Sequence, residues 1–347
     1  MKAMHAQRNR AGRARNKTAG RSLSAMLSFL LGLGAGNVHA TPLNISDIPL
    51  DVLAGVPANI ILTMDDSGSM AWGFLPDSIN NRAYTQRAKS SVFNKIYYDP
   101  NVTYVPAVDK NGNSLGDSDF YAAWDNGFKQ GGSKTNLAGG FDVIWGNGVV
   151  YTPNVADWNT DAYYYIFDGS KTAADGNPCD ITNPAHVNDA DDCYTKVTVG
   201  PNSGPGGTDE RTNFANWYSY YRLRHLLAKT AATRAFSQLS TSIRVAWQAL
   251  NTSTTPGNTL PLDGSHRANF FNWLYDVPTS GGTPLRRAFG KSAAKYSQTG
   301  ANSAYREVPG DSSSPEFSCR QNFHFAFTDG YWNSSNSSPR AYNYDNT

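Results

Sequence analysis

Histidine and cysteine are scarce in this chain of 347 residues, with 6 of the first and 3 of the second, so imidazole or thiolate chemistry has little to work with. Four histidines (His186, His225, His266 and His324) lie beyond the N-terminal segment, and none has neighbours that mark it as a general base. Charge is also sparse, at 17% Asp, Glu, Lys and Arg. The longest apolar run, Leu23 to Leu33, is too short to cross a bilayer as a permanent helix, and no later stretch is long enough either. No acid occurs before residue 41, whereas Lys2, Arg8, Arg10, Arg13, Arg15, Lys17 and Arg21 do.

Basic residues, then an apolar run, then the small-residue site Val38-His39-Ala40 read as a secretory signal peptide over residues 1–40, cleaved after Ala40. A basic arm for nucleic acid is the rival reading, but it leaves the apolar run and cleavage site unexplained. Losing those seven cations leaves 23 basic against 28 acidic residues, a net charge of about −5 in place of +2. The basic balance therefore belongs to the targeting segment, and the mature chain has no bulk reason to seek nucleic acid. Export also permits disulfides. Cys179 and Cys193 flank a loop rich in Asp and Asn, and closing about 15 residues contributes roughly 3 kcal/mol in the chain-entropy model. They are the expected pair, with Cys319 left free or bonded to a partner beyond this chain.

What is present begins at the apolar run Asn59-Ile60-Ile61-Leu62-Thr63-Met64, followed at once by Asp65-Asp66-Ser67-Gly68-Ser69. The run reads as a buried strand, and the turn after it delivers one carboxylate and two hydroxyls in a D-x-S-x-S spacing. A hard cation such as Mg²⁺ takes oxygen ligands in near-octahedral geometry, and alternate residues of a tight turn can face one centre. Starting the motif at Asp66 would put Gly68 where a hydroxyl is needed, so Asp65 is the ligand candidate and Asp66 the spacer. Two later segments complete the set. Thr279-Ser280-Gly281-Gly282-Thr283 precedes a helical pattern from Leu285, and Phe323-His324-Phe325-Ala326-Phe327-Thr328-Asp329 reads as a second buried strand, ending in a carboxylate. Each alone would be a turn or a cap; found in this order, each on its own loop after a strand or before a helix, the three together point to a metal site.

This arrangement resembles the von Willebrand factor A domain with its metal-ion-dependent adhesion site. The resemblance implies an α/β fold, a doubly wound and mostly parallel sheet whose strand ends carry the ligand site. It further implies Mg²⁺ or Mn²⁺ held by Asp65, Ser67, Ser69, Thr283 and Asp329, with one coordination position open to a partner's carboxylate. Further segments resemble the PilY-type proteins of bacterial type IV pili: Asp65 to Met70, Tyr98-Asp99-Pro100-Asn101-Val102-Thr103-Tyr104, Asn213-Phe214-Ala215-Asn216-Trp217-Tyr218-Ser219-Tyr220-Tyr221-Arg222, Gly281-Gly282-Thr283-Pro284-Leu285 and Thr328-Asp329-Gly330-Tyr331-Trp332-Asn333. That resemblance implies an exported, pilus-tip adhesin and assembly factor at the cell surface. Its partners would be the pilus, through minor pilins, and a surface or host ligand with an acidic group. Surface sensing is implied as well, and Ca²⁺ only in a C-terminal β-propeller, which is expected to be missing from this chain.

Along the chain, residues 41–347 are expected to form a von Willebrand A-like domain, with 71–208 a β- and loop-rich insertion and the closing strands and helix missing. Tyr97 to Pro106 reads as extended, Val143 to Tyr151 as a hairpin with an Asn147-Gly148 turn, and Tyr163 to Phe167 as a strand. Asp109 to Asp117 faintly resembles a calcium loop but offers Ser114 and Phe120 where Gly and Glu are needed, so a hairpin turn is expected. The periodicity of Phe214, Trp217, Tyr221, Leu227, Ala228, Ala231, Ala235 and Leu239 predicts one amphipathic helix of about 25 residues. Ile243 to Leu250 and Thr259 to Leu262 follow as strands, and His266 to Tyr275 as a helix. An enzyme is not expected: Asp66-Ser67-Gly68-Ser69-Met70 lacks the G-x-S-x-G elbow of a serine hydrolase. A secreted von Willebrand A protein unrelated to pili remains the other reading, and a structural pilus subunit lacks the prepilin features.

Overall fold

The computed structural model describes residues 55–82, 85–142, 144–146, 149–150, 159–188 and 191–330. The expected signal peptide and Tyr331-Trp332-Asn333 lie outside them. In chain order the strands are β1 (Asn59–Met64), β2 (Ala123–Trp124), β3 (Lys134–Thr135), β4 (Ala138–Phe141), β5 (Ile144–Gly146), β6 (Val149–Val150), β7 (Thr160–Asp161), β8 (Tyr163–Phe167), β9 (Tyr194–Thr198), β10 (Arg244–Ala249), β11 (Leu260–Pro261) and β12 (Asn322–Phe327). The helices are α1 (Pro184–Asn188), α2 (Arg211–Tyr220), α3 (Arg224–Ser237), α4 (Gly264–Asp276) and α5 (Leu285–Tyr296).

Every residue of β1 is buried, as expected of a parallel strand covered on both faces. It pairs in parallel with β10 on one side and β12 on the other, and β11 adds antiparallel to β10, in the order β11-β10-β1-β12. Alternation divides the side chains between two layers. Ile60, Leu62, Met64, Val245 and Phe327 share one core with Ala232 and Phe236 of α3 and Phe270, Phe271 and Leu274 of α4. The opposite face is polar: Gln248 donates to Thr63 Oγ1 at 2.9 Å and to Ala288 O and Ser292 Oγ of α5 at 2.9 and 3.0 Å. His324 Nε2 reaches Thr63 Oγ1 at 2.8 Å on the same face. The protein is thus mixed α/β, with a mixed sheet flanked by helices on both faces.

A second core lies in the segment between β1 and β10. Tyr97, Tyr98, Phe120, Leu137, Phe141, Tyr163 and Tyr164 pack there with Phe214, Trp217 and Tyr218 of α2. The buried carboxylate of Glu210 accepts from Tyr98 Oη at 3.1 Å, Tyr164 Oη at 3.3 Å and Ser203 Oγ at 2.5 Å, so its charge is met by hydroxyl donors. β8 pairs with β9, and β5 with β6 at the expected hairpin, whose Asn147-Gly148 turn lies outside the described residues. Cys179 and Cys193 are joined with a Cα–Cα distance of 5.6 Å, and Cys319 is free and exposed. Asp109 caps a hairpin turn by accepting from Asn111 N and Asn113 N at 2.8 and 2.9 Å.

Three expectations need correction. The Phe323 strand is not buried: β12 lies at the sheet edge, and Phe323 and Phe325 are 42% and 51% exposed. Tyr97 to Pro106 forms turns and irregular chain with no strand; its side chains hold it, through Tyr97 Oη donating to Tyr163 O at 3.0 Å and Asn213 Oδ1 accepting from Tyr104 N at 2.8 Å. The single long helix is two. Tyr221 N and Arg222 N both donate to Trp217 O, Leu223 is extended (φ −119°, ψ 149°), and Arg224 N turns to Trp72 O at 3.1 Å. The apolar spacing runs through the break because both helices bury a face, but α2 buries it in the aromatic core and α3 against the sheet. Periodicity records burial, not what lies opposite.

Candidate metal centre

β1 ends where its neighbours end, because all three parallel strands run in register and Met64 lies between Ala249 and Phe327. Their C-terminal loops therefore meet. Asp65 N donates to Phe327 O at 2.9 Å, carrying the chain out of the sheet. The Asp65 carboxylate, 1% exposed at residue level, accepts from Ser67 N at 2.8 Å through Oδ1 and from Thr328 Oγ1 at 2.7 Å through Oδ2. Ser67 Oγ and Ser69 Oγ lie 3.0 Å apart, and Ser69 sits in a short 3₁₀ turn, Gly68–Ala71. Asp65, Ser67 and Ser69 are thus one cluster, with the Asp329 strand end attached to it through Thr328.

Backbone bonds bring in the Thr283 loop. Gly68 N donates to Gly281 O at 3.2 Å and Ser280 N to Asp66 O at 2.6 Å. Asp66 is more than a spacer: its Oδ1 accepts from Asn251 N at 2.9 Å and Asn251 Nδ2 at 2.8 Å, and Asn251 Nδ2 also donates to Gly282 O at 2.7 Å. Burial pushes the Asp66 carboxyl up, against the lowering effect of the Asn251 hydrogen bonds. Gly281 has φ +104° and lies so close that a Cβ would meet Asn251 at 3.3 Å, so glycine serves both the turn and the approach. Thr283, buried at 4% exposure, follows just before α5.

Asp329 sits apart from these hydroxyls in its contacts. Its side chain is 3% exposed, and Oδ2 pairs with Arg224 Nη1 at 2.7 Å. Its Oδ1 is buried with no hydrogen-bond partner. Such an atom is costly, and a donor set made of carboxylate and hydroxyl oxygens suits a hard cation better than a soft one. Among the described residues no three of His, Cys, Asp and Glu converge on one point, so a cation here would depend on hydroxyls as well. Asn251, Thr328 and Arg224 were not singled out from sequence. Asn251 and Thr328 could have been, each being a short polar side chain just past the end of a strand next to β1; Arg224 carries no local signal.

No family model matches the chain, and no solved structure matches it significantly. Curated proteins do. A type IV pilus biogenesis factor PilY1 of Pseudomonas aeruginosa strain PAO1 is 39% identical over 346 residues, covering 94% of this chain. Over its matched length the chain is a PilY1-type sequence. PilY1 of strain PAK is 37% identical over 91% of the chain, and that of strain UCBPP-PA14 38% over 92%. The chain spans 27–28% of the length of these PilY1 relatives. Among the described residues no helix is long and apolar enough to cross a membrane.

Proposed function

We propose that this chain is the metal-binding recognition part of an exported type IV pilus biogenesis factor, acting at the cell surface as an adhesin. In this reading residues 1–40 are a signal peptide, and the α/β unit is a von Willebrand A domain interrupted by the aromatic insertion. Asp65, Ser67, Ser69, Thr283 and Asp329 hold Mg²⁺ or Mn²⁺. The bound cation supplies a positive centre for an acidic group of the partner, a pilus component or surface ligand. The chain's own part is to gather the oxygens: Thr328 and Ser67 N fix Asp65, Asp66 and Asn251 fix the Thr283 loop, and no nucleophile or base is required. Binding without catalysis is accordingly the proposed activity.

The observation that carries this reading is the meeting of the 65–71, 251, 280–283 and 328–329 segments at one end of three parallel strands. Ligand sites of open α/β sheets form at those ends, and the kinship with PilY1 supplies the pilus setting. The test is thermal unfolding of the chain in EDTA, Mg²⁺ and Mn²⁺, beside Asp65→Ala, together with retention on immobilised pili. A hundredfold excess over Kd should stabilise the parent by about 2.7 kcal/mol, and pilus retention should need the metal. Equal metal response in Asp65→Ala, or retention untouched by EDTA, would refute the proposal.

A further inference from the structure

Arg224 opens α3, yet its guanidinium reaches across to the end of β12. Nη1 donates to Asp329 Oδ2 at 2.7 Å, Nη2 pairs with Asp77 Oδ1, and Nε donates to Phe74 O at 2.9 Å. The Trp72 and Phe74 rings each lie 5.1 Å from its Cζ. Arg224 is 5% exposed at the side chain, Asp329 3% and Asp77 32%. One planar fork thus satisfies one oxygen of Asp329 and leaves Oδ1 buried without a partner. A guanidinium held by three acceptors and two rings has little freedom, so it fixes the carboxylate it grips.

Resting on the metal reading above, we propose that Arg224 is the positioning residue for Asp329, and that Asp77, in the segment after the D-x-S-x-S turn, tunes the cation's affinity through it. Asp77 and Asp329 compete for one guanidinium. With Asp77 in place the fork is shared, and Asp329 keeps Oδ1 turned toward an oxygen-seeking ion. Without Asp77 the full charge of Arg224 falls on Asp329 and draws it from the metal. The coupling is reciprocal: whatever engages Asp77 alters metal affinity, and metal binding alters how firmly residues 72–77 are held.

Charge alone predicts the opposite for Arg224, since removing a cation beside the site should tighten metal binding. That opposition makes the test decisive. Mn²⁺ affinity of the chain is measured by electron paramagnetic resonance of free Mn²⁺, for the parent, Arg224→Gln, Asp77→Asn and the double variant, with Asp65→Ala as the site control. Loss of a residue that orients a ligand weakens metal binding about tenfold or more, expected here for Arg224→Gln, and Asp77→Asn should weaken it about fivefold. The Asp77 effect should vanish in the Arg224→Gln background, which a long-range charge effect would not. Unchanged or tighter binding by Arg224→Gln, with Asp65→Ala still abolishing it, overturns this inference and leaves the metal reading standing. If Arg224→Gln does not unfold cooperatively, Asp77→Asn decides: unchanged affinity overturns the inference. No Mn²⁺ binding by the parent overturns both.

Discussion

Replacing Asp66 separates its acceptor role from its charge. Oδ1 takes two hydrogen bonds from Asn251, at 2.9 Å from the main chain and 2.8 Å from the side chain, and Asn251 in turn holds Gly282 O. Hydrogen bonds to a charged group contribute about 1.5–3 kcal/mol each, and the donors left behind by truncation add their own desolvation cost. Against this stands the cost of burying the charge, visible as the raised Asp66 pKa. For Asp66→Ala the net loss should be about 2–3 kcal/mol, which at about 2–4 °C per kcal/mol lowers Tm by roughly 5–10 °C. Asp66→Asn keeps an oxygen acceptor in the same place without the buried charge, so its loss should stay below about 1 kcal/mol. Urea unfolding in EDTA, followed by circular dichroism, measures both free of any metal. Equal losses in the two variants would refute the separation of acceptor from charge, and an Ala variant as stable as the parent would refute the claim that Asp66 ties the loops together.

Two further outcomes follow from the packing. His225 is held well below its usual value, at about 3, chiefly by burial, with nearby Lys229 adding to the effect, and it stays neutral while donating from Nδ1 to Met70 O at 3.1 Å. The unfolded chain takes up the proton near pH 6.5 and the folded one near 3, so stability should fall as pH drops through that interval; His225→Gln should flatten the slope in unfolding titrations between pH 7 and 4.5, and an unchanged slope would contradict the assignment. Removing the Cys179–Cys193 bridge, which joins residues 14 apart, should cost about 3 kcal/mol. Chemical unfolding of Cys179→Ser/Cys193→Ser checks this, and a loss well under 1 kcal/mol would show that the loop is closed without the bond.

Much of the architecture was legible in the chain because parallel strands buried on both sides must be written as continuous apolar runs. Asn59 to Met64 is such a run and forms β1, buried throughout; Ile243 to Leu250 and Phe323 to Phe327 are apolar enough to mark β10 and β12, although β12, at the sheet edge, leaves Phe323 and Phe325 exposed. The turn chemistry was equally local: D-x-S-x-S and Gly281-Gly282-Thr283 announce themselves by spacing. The break between α2 and α3 was not legible, since residues on either side share one apolar rhythm while facing different cores. Nor was the extended reading of Tyr97 to Pro106 correct, because aromatic, β-favouring side chains there anchor irregular backbone instead of pairing it.

The sequence by itself determined which segments become the parallel strands, which loops carry oxygen donors, and the kinship with PilY1. Those properties reside in runs of a few residues, where periodicity and spacing express burial and turn geometry directly. Only the tertiary structure decided that Asp66 and Asn251 join two loops, that Thr328 holds Asp65, and that Arg224 divides its charge between Asp77 and Asp329. These partners lie 185, 263, 147 and 105 residues apart in the chain, and a hydrogen bond or ion pair acts over a few ångströms of space. Only the register of three parallel strands and the packing of α3 bring those atoms within reach of one another.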